Sequence, residues 1–228
     1  LLYQVSYDAL TGIYNKRAFY RQAAEYLKLH EDVDFELMRV DVERFNAIND
    51  LFGEKTGDRL LKYIARFFRN VNLPCSVYGR IHSDNFAIFY PAGQDNRQRF
   101  ITSLQTMAAS FSLDYRIVLC FGVYRISDRA LPVSAMCDRA GMALNKAKTD
   151  ALLVCGEYDE DMRQNIVNEQ DIVNDMEEAL EHEEFVLYLQ PKYELTTEKI
   201  VGAEVLVRWI HPTRGFVPPS EFIPVFEQ

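Results

Sequence analysis

The chain has 228 residues, 48% of them hydrophobic, which is enough for one large domain or two modest ones. Its formal net charge of −9 disfavours nucleic acid or an anionic membrane as a general partner, and no apolar run reaches the roughly 18 residues of a membrane span. The four cysteines lack CxxC spacing, which is typical of reduced cytosolic thiols without a metal.

The first third of the chain predicts two helices and a strand. Residues 1–7 have helical spacing, and because neither an initiator Met nor a signal peptide precedes them, we expect an upstream linker helix in a longer protein. Asn15 is a candidate cap for a helix over residues 16–30. Residues 35–43 alternate as a strand, which puts Asp41 and Glu43 on one face at its end. Such a pair is costly unless it lies in solvent, is paired with a basic group or holds a cation.

A short helix, a longer helix and a hairpin come next. The short helix ends at Gly53, and the next begins at residues 56–58. Asn49 and Asp58 flank this turn, where they either read the edge of a guanine or cap the helices. Residues 77–90 predict a β-hairpin with its turn at residues 81–85. The Asp in that turn either holds a cation or is simply solvated.

The rest of the chain predicts alternating helices and strands. Gly122 marks a bulge or a close approach of backbone, and Lys148 complements a helix dipole. An acidic stretch at 159–168 is the expected boundary between domains 1–158 and 159–228. The predicted elements are helices over 97–111, 132–148 and 169–183, and strands over 114–126, 152–155, 185–190 and 200–209.

Four segments of the first domain resemble the GGDEF family of diguanylate cyclases. Asp8-Ala9-Leu10-Thr11-Gly12 is similar to its opening motif, and the hairpin stands where the GGDEF signature stands. The other two segments are 41–58 and 139–148, so that the resemblance covers residues 6–155. It implies an α+β sandwich in which helices flank a central, mainly antiparallel sheet, as in cyclase and polymerase palm domains.

The end of the chain resembles the start of an EAL domain, the family that hydrolyses cyclic di-GMP. The similar segments are 187–192, 202–209, 211–212 and 222–224, about the first quarter of that family's barrel. The resemblance implies a metal-ligand role for Glu204 and substrate contacts for Gln190 and Arg208, in a site that this stretch leaves incomplete. We expect its strands to be poorly ordered or to borrow packing from a neighbour.

The first resemblance also implies a reaction and its residues. GGDEF domains join two GTP molecules into cyclic di-GMP with Mg²⁺, across two domains that meet face to face. By position, the metal ligands are the Asp41 carboxylate, the Val42 carbonyl and Asp84. Asn49 and Asp58 match the guanine-reading positions, and Lys148 matches a phosphate-binding lysine.

The signature itself departs from the family, since it consists here of His82, Ser83, Asp84, Asn85 and Phe86. A His and a Ser replace two glycines that let the backbone turn tightly. The fourth letter is an amide instead of an acid. A phosphate-side lysine is replaced by Asn46, an arginine by Leu152 and a helix-end acid by Gly141, and the product-inhibition motif falls on uncharged residues 73–76.

These departures predict a degenerate GGDEF domain without cyclase activity. We expect it to regulate an attached EAL phosphodiesterase by binding GTP or another guanine nucleotide, with Mg²⁺, or by forming a homodimer. The alternatives are an active diguanylate cyclase and a purely structural scaffold. We further expect a bacterial, cytoplasmic location and no nucleic-acid partner. An upstream sensor is also expected, with its attachment to a membrane left open.

Overall fold

The computed structural model describes residues 6–71, 73–150 and 153–227. The chain divides into two compact units, Leu1–Asp159 and Glu160–Gln228. Most of the helix expected over residues 1–7, and Leu152, lie outside the described residues. No described helix is both long enough and apolar enough to cross a membrane.

The first unit is an α+β sandwich, which confirms the predicted fold class. Six strands form one sheet in the order β1-β3-β4-β2-β5-β6, in which β1–β3 and β5–β6 are parallel and the other neighbours antiparallel. The elements are β1 (Tyr14–Asn15), α1 (Lys16–Leu29), β2 (Phe35–Val42), α2 (Phe45–Phe52), α3 (Glu54–Asn70), β3 (Val77–His82), β4 (Asn85–Pro91), α4 (Gln94–Ala109), β5 (Leu119–Arg125), α5 (Val133–Thr149) and β6 (Cys155–Glu157).

Strand β2 lies in the middle of this sheet, and helices cover both of its faces. Met38 and Val40 belong to a core shared with α2, α3 and α4. Phe35 and Leu37 belong to a second core shared with α1 and α5. The alternation predicted for this strand is therefore confirmed, and all eight of its residues are buried.

Buried charge at the start of β2 is held by a compact network. Glu36 is 3% exposed, and it accepts a hydrogen bond from the Tyr90 hydroxyl at 2.7 Å. Arg97 donates to both Glu36 oxygens, at 2.7 and 3.1 Å, and it also pairs with Glu157. The hydrogen bond to Glu36 raises the pKa of Arg97. These contacts tie α4 to the sheet at β2 and at β6.

Gly122 marks a close approach, one of its two predicted roles. A Cβ atom there would lie 2.1 Å from the Leu144 nitrogen and 2.3 Å from the Ala140 oxygen. Helix α5 therefore packs its backbone directly on β5, which fixes the height of the helix above the sheet.

Several predicted boundaries were wrong. The strand expected over 114–126 is only β5, because Asp114 and Arg116 are exposed and Tyr115 packs against Phe52 instead of entering the sheet. Helix α3 starts earlier than expected, at Glu54. The strand expected over 152–155 starts at Cys155, and residues 151–152 are not described.

The second unit packs two helices against a three-stranded sheet around Trp209, Phe222 and Ile172. Its long first helix runs through the polar stretch 159–168, because those residues include neither Gly nor Pro. The strands form a sheet, although Leu187, Leu189 and other apolar side chains on them are exposed. The elements are α6 (Glu160–Glu181), β7 (Phe185–Tyr193), β8 (Ile200–His211), β9 (Gly215–Val217) and α7 (Pro219–Phe226).

We predict that Arg97→Ala lowers the free energy of unfolding by about 3–5 kcal/mol, because it leaves the Glu36 carboxylate buried without its ionic partner. Urea denaturation followed by circular dichroism measures this loss. The matched control is Arg125→Ala, whose pair with Asp34 has side chains 65% and 75% exposed. The control should lose about 0–1 kcal/mol, and equal losses for the two variants would contradict the prediction.

Candidate functional site

The hairpin of β3 and β4 closes through a tight turn made by Ser83 and Asp84. His82 pairs with Asn85 across it, so the predicted hairpin is confirmed with a shorter turn than residues 81–85. Ser83 has a φ of 43°, in the left-handed region that favours glycine. Arg80 supports the turn by donating to the Ser83 carbonyl at 2.7 Å and to Asp8 at 3.0 Å.

Asp41 is the last residue but one of β2 and lies beneath this hairpin, where its side chain is only 9% exposed. Its Oδ2 accepts a hydrogen bond from Asn85 Nδ2 at 3.0 Å. Its Oδ1 forms an ion pair with Lys148 Nζ at 2.5 Å. Both oxygens of this carboxylate therefore contact groups of the protein itself.

Arg39 lies two residues earlier on the same face of β2 and is 8% exposed. Its Nε donates to Asn85 Oδ1 at 2.5 Å, and its Nη2 lies 3.5 Å from His82 Nε2. Its Nη1 donates to the Cys137 carbonyl at 3.4 Å. The alternation predicted for residues 35–43 puts Arg39 on the same face as Asp41, but the sequence analysis did not select it as a site residue. An arginine between two apolar residues, Met38 and Val40, in the middle of the strand was the available signal.

Burial and the neighbouring charges shift the pKa values of two residues at the turn, Asp84 and His82. Burial raises the pKa of Asp84, and the neighbouring Asp41 carboxylate raises it further. Burial of the His82 ring lowers its pKa, and the Arg39 guanidinium lowers it further. A neutral His82 accepts a hydrogen bond from Arg39, which has only donors. Phe86 and Val42 are fully buried in the core beneath.

Asn49 and Asp58 lie on the helix pair α2 and α3. Asn49 fills the space that Gly57 leaves, since a Cβ on that glycine would lie 2.0 Å from Asn49 Oδ1. This buried oxygen has no hydrogen-bond partner among the described residues. Asp58 is exposed. The Asp58 carboxylate is thus accessible to a ligand on this helix pair, whereas the Asn49 oxygen is buried against Gly57.

A cavity of about 1050 Å³ opens beside Lys148, with Arg44, Arg116 and Glu43 among its lining residues. Asn49 and Asp58 do not line it. Lys148 therefore has an open side toward solvent, although its ammonium is engaged with Asp41.

The family implies Mg²⁺ at Asp41, Val42 and Asp84, and the contacts here do not fit that ion. Asp41 already contacts Asn85 through Oδ2 and Lys148 through Oδ1, so a cation bound there would lie beside a resident ammonium group. No group of three or more His, Cys, Asp or Glu side chains within the described ranges is arranged to hold a metal.

The residues matched to the EAL family lie on the β7–β8 pair. Gln190 stands opposite Glu204 in the register of the two strands. Glu204 is exposed and pairs with Lys192 at 3.3 Å, and Arg208 lies 5.7 Å from the centre of the Tyr188 ring. The strand pairing therefore brings Gln190 and Glu204 together.

The family model "Diguanylate cyclase, GGDEF domain" matches residues 5–151, so the chain belongs to the GGDEF family. A partial match to the EAL domain follows over residues 173–228. The chain is thus a GGDEF domain followed by the beginning of an EAL domain, in a setting of cyclic di-GMP signalling.

Two named relatives match nearly the whole of this chain. The cyclic di-GMP phosphodiesterase NbdA of Pseudomonas aeruginosa is 27% identical over 97% of this chain and 29% of its own length. The bifunctional diguanylate cyclase and phosphodiesterase MucR of the same organism is 24% identical over 97% of this chain and 33% of its own length. The chain therefore spans only about a third of these relatives or less.

A solved structure shares this fold. The S helix-GGDEF-EAL segment of LapD from Vibrio cholerae, bound to cyclic di-GMP, matches with a TM-score of 0.63. It is 18% identical, and the match covers 99% of this chain and 54% of that one. At this identity the likeness supports the fold alone.

We predict that Arg39→Met lowers the free energy of unfolding by about 2–4 kcal/mol, because Asn85 loses its charged donor and Asp41 loses a nearby positive charge. Guanidinium denaturation measures the loss. Arg44→Met is the matched control, since the Arg44 side chain is 76% exposed. The control should change stability by no more than about 0.5 kcal/mol. An Arg39→Met protein as stable as the control would show that the buried contacts contribute nothing.

Proposed function

We propose that this GGDEF domain makes no cyclic di-GMP and acts as a regulatory module in a cyclic di-GMP signalling protein. The single observation that carries the proposal is the state of Asp41. The carboxylate that should activate the reaction is held by Asn85 and Lys148. The Lys148 ammonium neutralises Asp41 in this contact, so one contact engages two functional positions.

The other departures agree with this proposal. Ser83 keeps a left-handed backbone but adds a side chain at the turn. Asn46 is exposed, and it offers no charge to a phosphate where the family has a lysine. Each missing electrostatic group costs about 2.7–4 kcal/mol in the transition state when it acts alone. The combined loss is therefore incompatible with useful turnover.

We also propose that guanine nucleotide binding persists on the helix pair α2 and α3. The exposed Asp58 carboxylate supplies acceptors for the N–H groups of guanine. The Asn49 oxygen is buried and has no hydrogen-bond partner among the described residues, so it would reach a guanine only after its side chain turns away from Gly57. The absence of a side chain at Gly57 keeps the space that Asn49 occupies. Binding there would give the domain a signal to pass on without any chemistry.

For the whole protein we propose a cytoplasmic cyclic di-GMP phosphodiesterase, in which a completed EAL domain uses Glu204 as a metal ligand. NbdA and MucR support this proposal through the activities in their names. The GGDEF unit would regulate that activity through nucleotide binding, homodimer formation or both, under the control of an upstream sensor.

We predict that the chain forms no detectable cyclic di-GMP from GTP and Mg²⁺. Any rate of formation should lie roughly three or more orders of magnitude below that of an active family member. Chromatography of the products after long incubation measures this. A product peak that Asp84→Ala abolishes would overturn the proposal and favour the active cyclase.

We predict that GTP binds with a dissociation constant on the order of 0.1–1 mM, because guanine contacts remain while phosphate contacts are reduced. Titration calorimetry measures it, with EDTA and again with Mg²⁺. Asn49→Ala should weaken binding about tenfold, whereas Asn46→Ala, an exposed site on the same helix, should not change it. ATP should bind more weakly than GTP.

If millimolar GTP gives no heat of binding, the proposed regulatory role would depend on dimer formation alone. Sedimentation equilibrium then separates a dimerising module from a scaffold. A monomer that also binds no nucleotide would refute the regulatory role.

A further inference from the structure

A chain of contacts, buried at Arg39, Asn85 and Asp41 and exposed at Lys148, joins two cations to one carboxylate beneath the hairpin turn. Arg39 donates to Asn85, Asn85 donates to Asp41, and Asp41 pairs with Lys148. The contacts connect β2, β4 and α5. A ligand at the turn would therefore meet groups that are already paired with one another.

The amide of Asn85 suits this position better than an acid does. Its oxygen faces the Arg39 guanidinium, and its nitrogen faces the Asp41 carboxylate. An ionised carboxylate has only acceptors, so it would satisfy Arg39 but repel Asp41. The residue at the family's acid position is therefore of the type that can bridge a cation to an anion.

The charges at the site also balance without a metal. Asp41 and Asp84 supply two negative charges when both are ionised, and Arg39 and Lys148 supply two positive ones. Arginine keeps its charge at any pH that proteins meet. A divalent ion placed on Asp41 would face two resident cations, whose repulsion in a partly buried site is much stronger than in water.

We propose that Arg39 and Lys148 neutralise the Asp41–Asp84 site from within, so that the hairpin is held together without a divalent cation. The two residues act as charge-neutralising, positioning groups. The domain then keeps its shape whether or not Mg²⁺ is present. This inference is independent of nucleotide binding, because it concerns the site without nucleotide.

Titration of the 228-residue chain with Mn²⁺, followed by electron paramagnetic resonance of the free ion, tests the proposal. The native chain should show no saturable binding at this site below millimolar Mn²⁺, and its melting temperature should be the same in Mg²⁺ and in EDTA. Lys148→Met should bind Mn²⁺ at least about tenfold more tightly, because one resident cation is removed. Adding Asp84→Asn should abolish that gain.

The matched control is Lys146→Met, which removes the same charge from the same helix but pairs with Asp159 instead of Asp41. A second variant, Asn85→Asp, restores an acid at the fourth letter and should also gain Mn²⁺ binding, whereas Asn145→Asp, at an exposed position of α5, should not. This pair keeps the test informative if Lys148→Met does not fold. Micromolar Mn²⁺ binding by the native chain, or gains no larger than those of the controls, would overturn the proposal.

Discussion

Strand β2 is buried along its whole length and yet carries Glu36, Arg39 and Asp41, and the rest of the first unit depends on how these charges are paired. A buried charge without a partner is costly, so each of the three must meet a complementary group. The partners come from β4, α4 and α5, and the pairs therefore fix those elements around the central strand. The cores on both faces add burial, but apolar contact alone would tolerate small shifts that these pairs do not.

The two ends of β2 use the same physics for different purposes. At its start, Arg97 contacts both Glu36 oxygens, and Tyr90 completes the shell of an ordinary structural ion pair. At its end, Asp41 stands where the GGDEF family has a metal-binding acid. Asn85 and Lys148 contact this carboxylate in a similar arrangement. We interpret the proposed loss of cyclase chemistry as a conversion of a ligand-binding carboxylate into a structural one.

The sequence predicted the sheet faces and the hairpin because both follow from side-chain alternation, which is local. It also predicted the caps at Asn15 and Gly53, which depend on a few neighbouring atoms. The start of β5 was not predicted, since apolar content does not decide whether a segment pairs with another strand. The length of α6 was not predicted, since a polar composition does not decide whether a segment is helical. The role of Arg39 was missed for the same reason: its partners lie 46 and 98 residues away in sequence.

The hairpin shows how a fold can be retained when catalytic residues are replaced. Ser83 adopts the left-handed backbone that glycine would adopt freely, at a cost of roughly 1–2 kcal/mol. That cost is offset because Arg80 holds the Ser83 carbonyl and is itself held by Asp8, whose carboxylate also binds Thr11. The shape of the turn is thus fixed by residues outside the signature. The signature side chains could therefore change, provided that each new side chain could form contacts with the charged groups beneath it. Asn85 does so, because it contacts both Arg39 and Asp41.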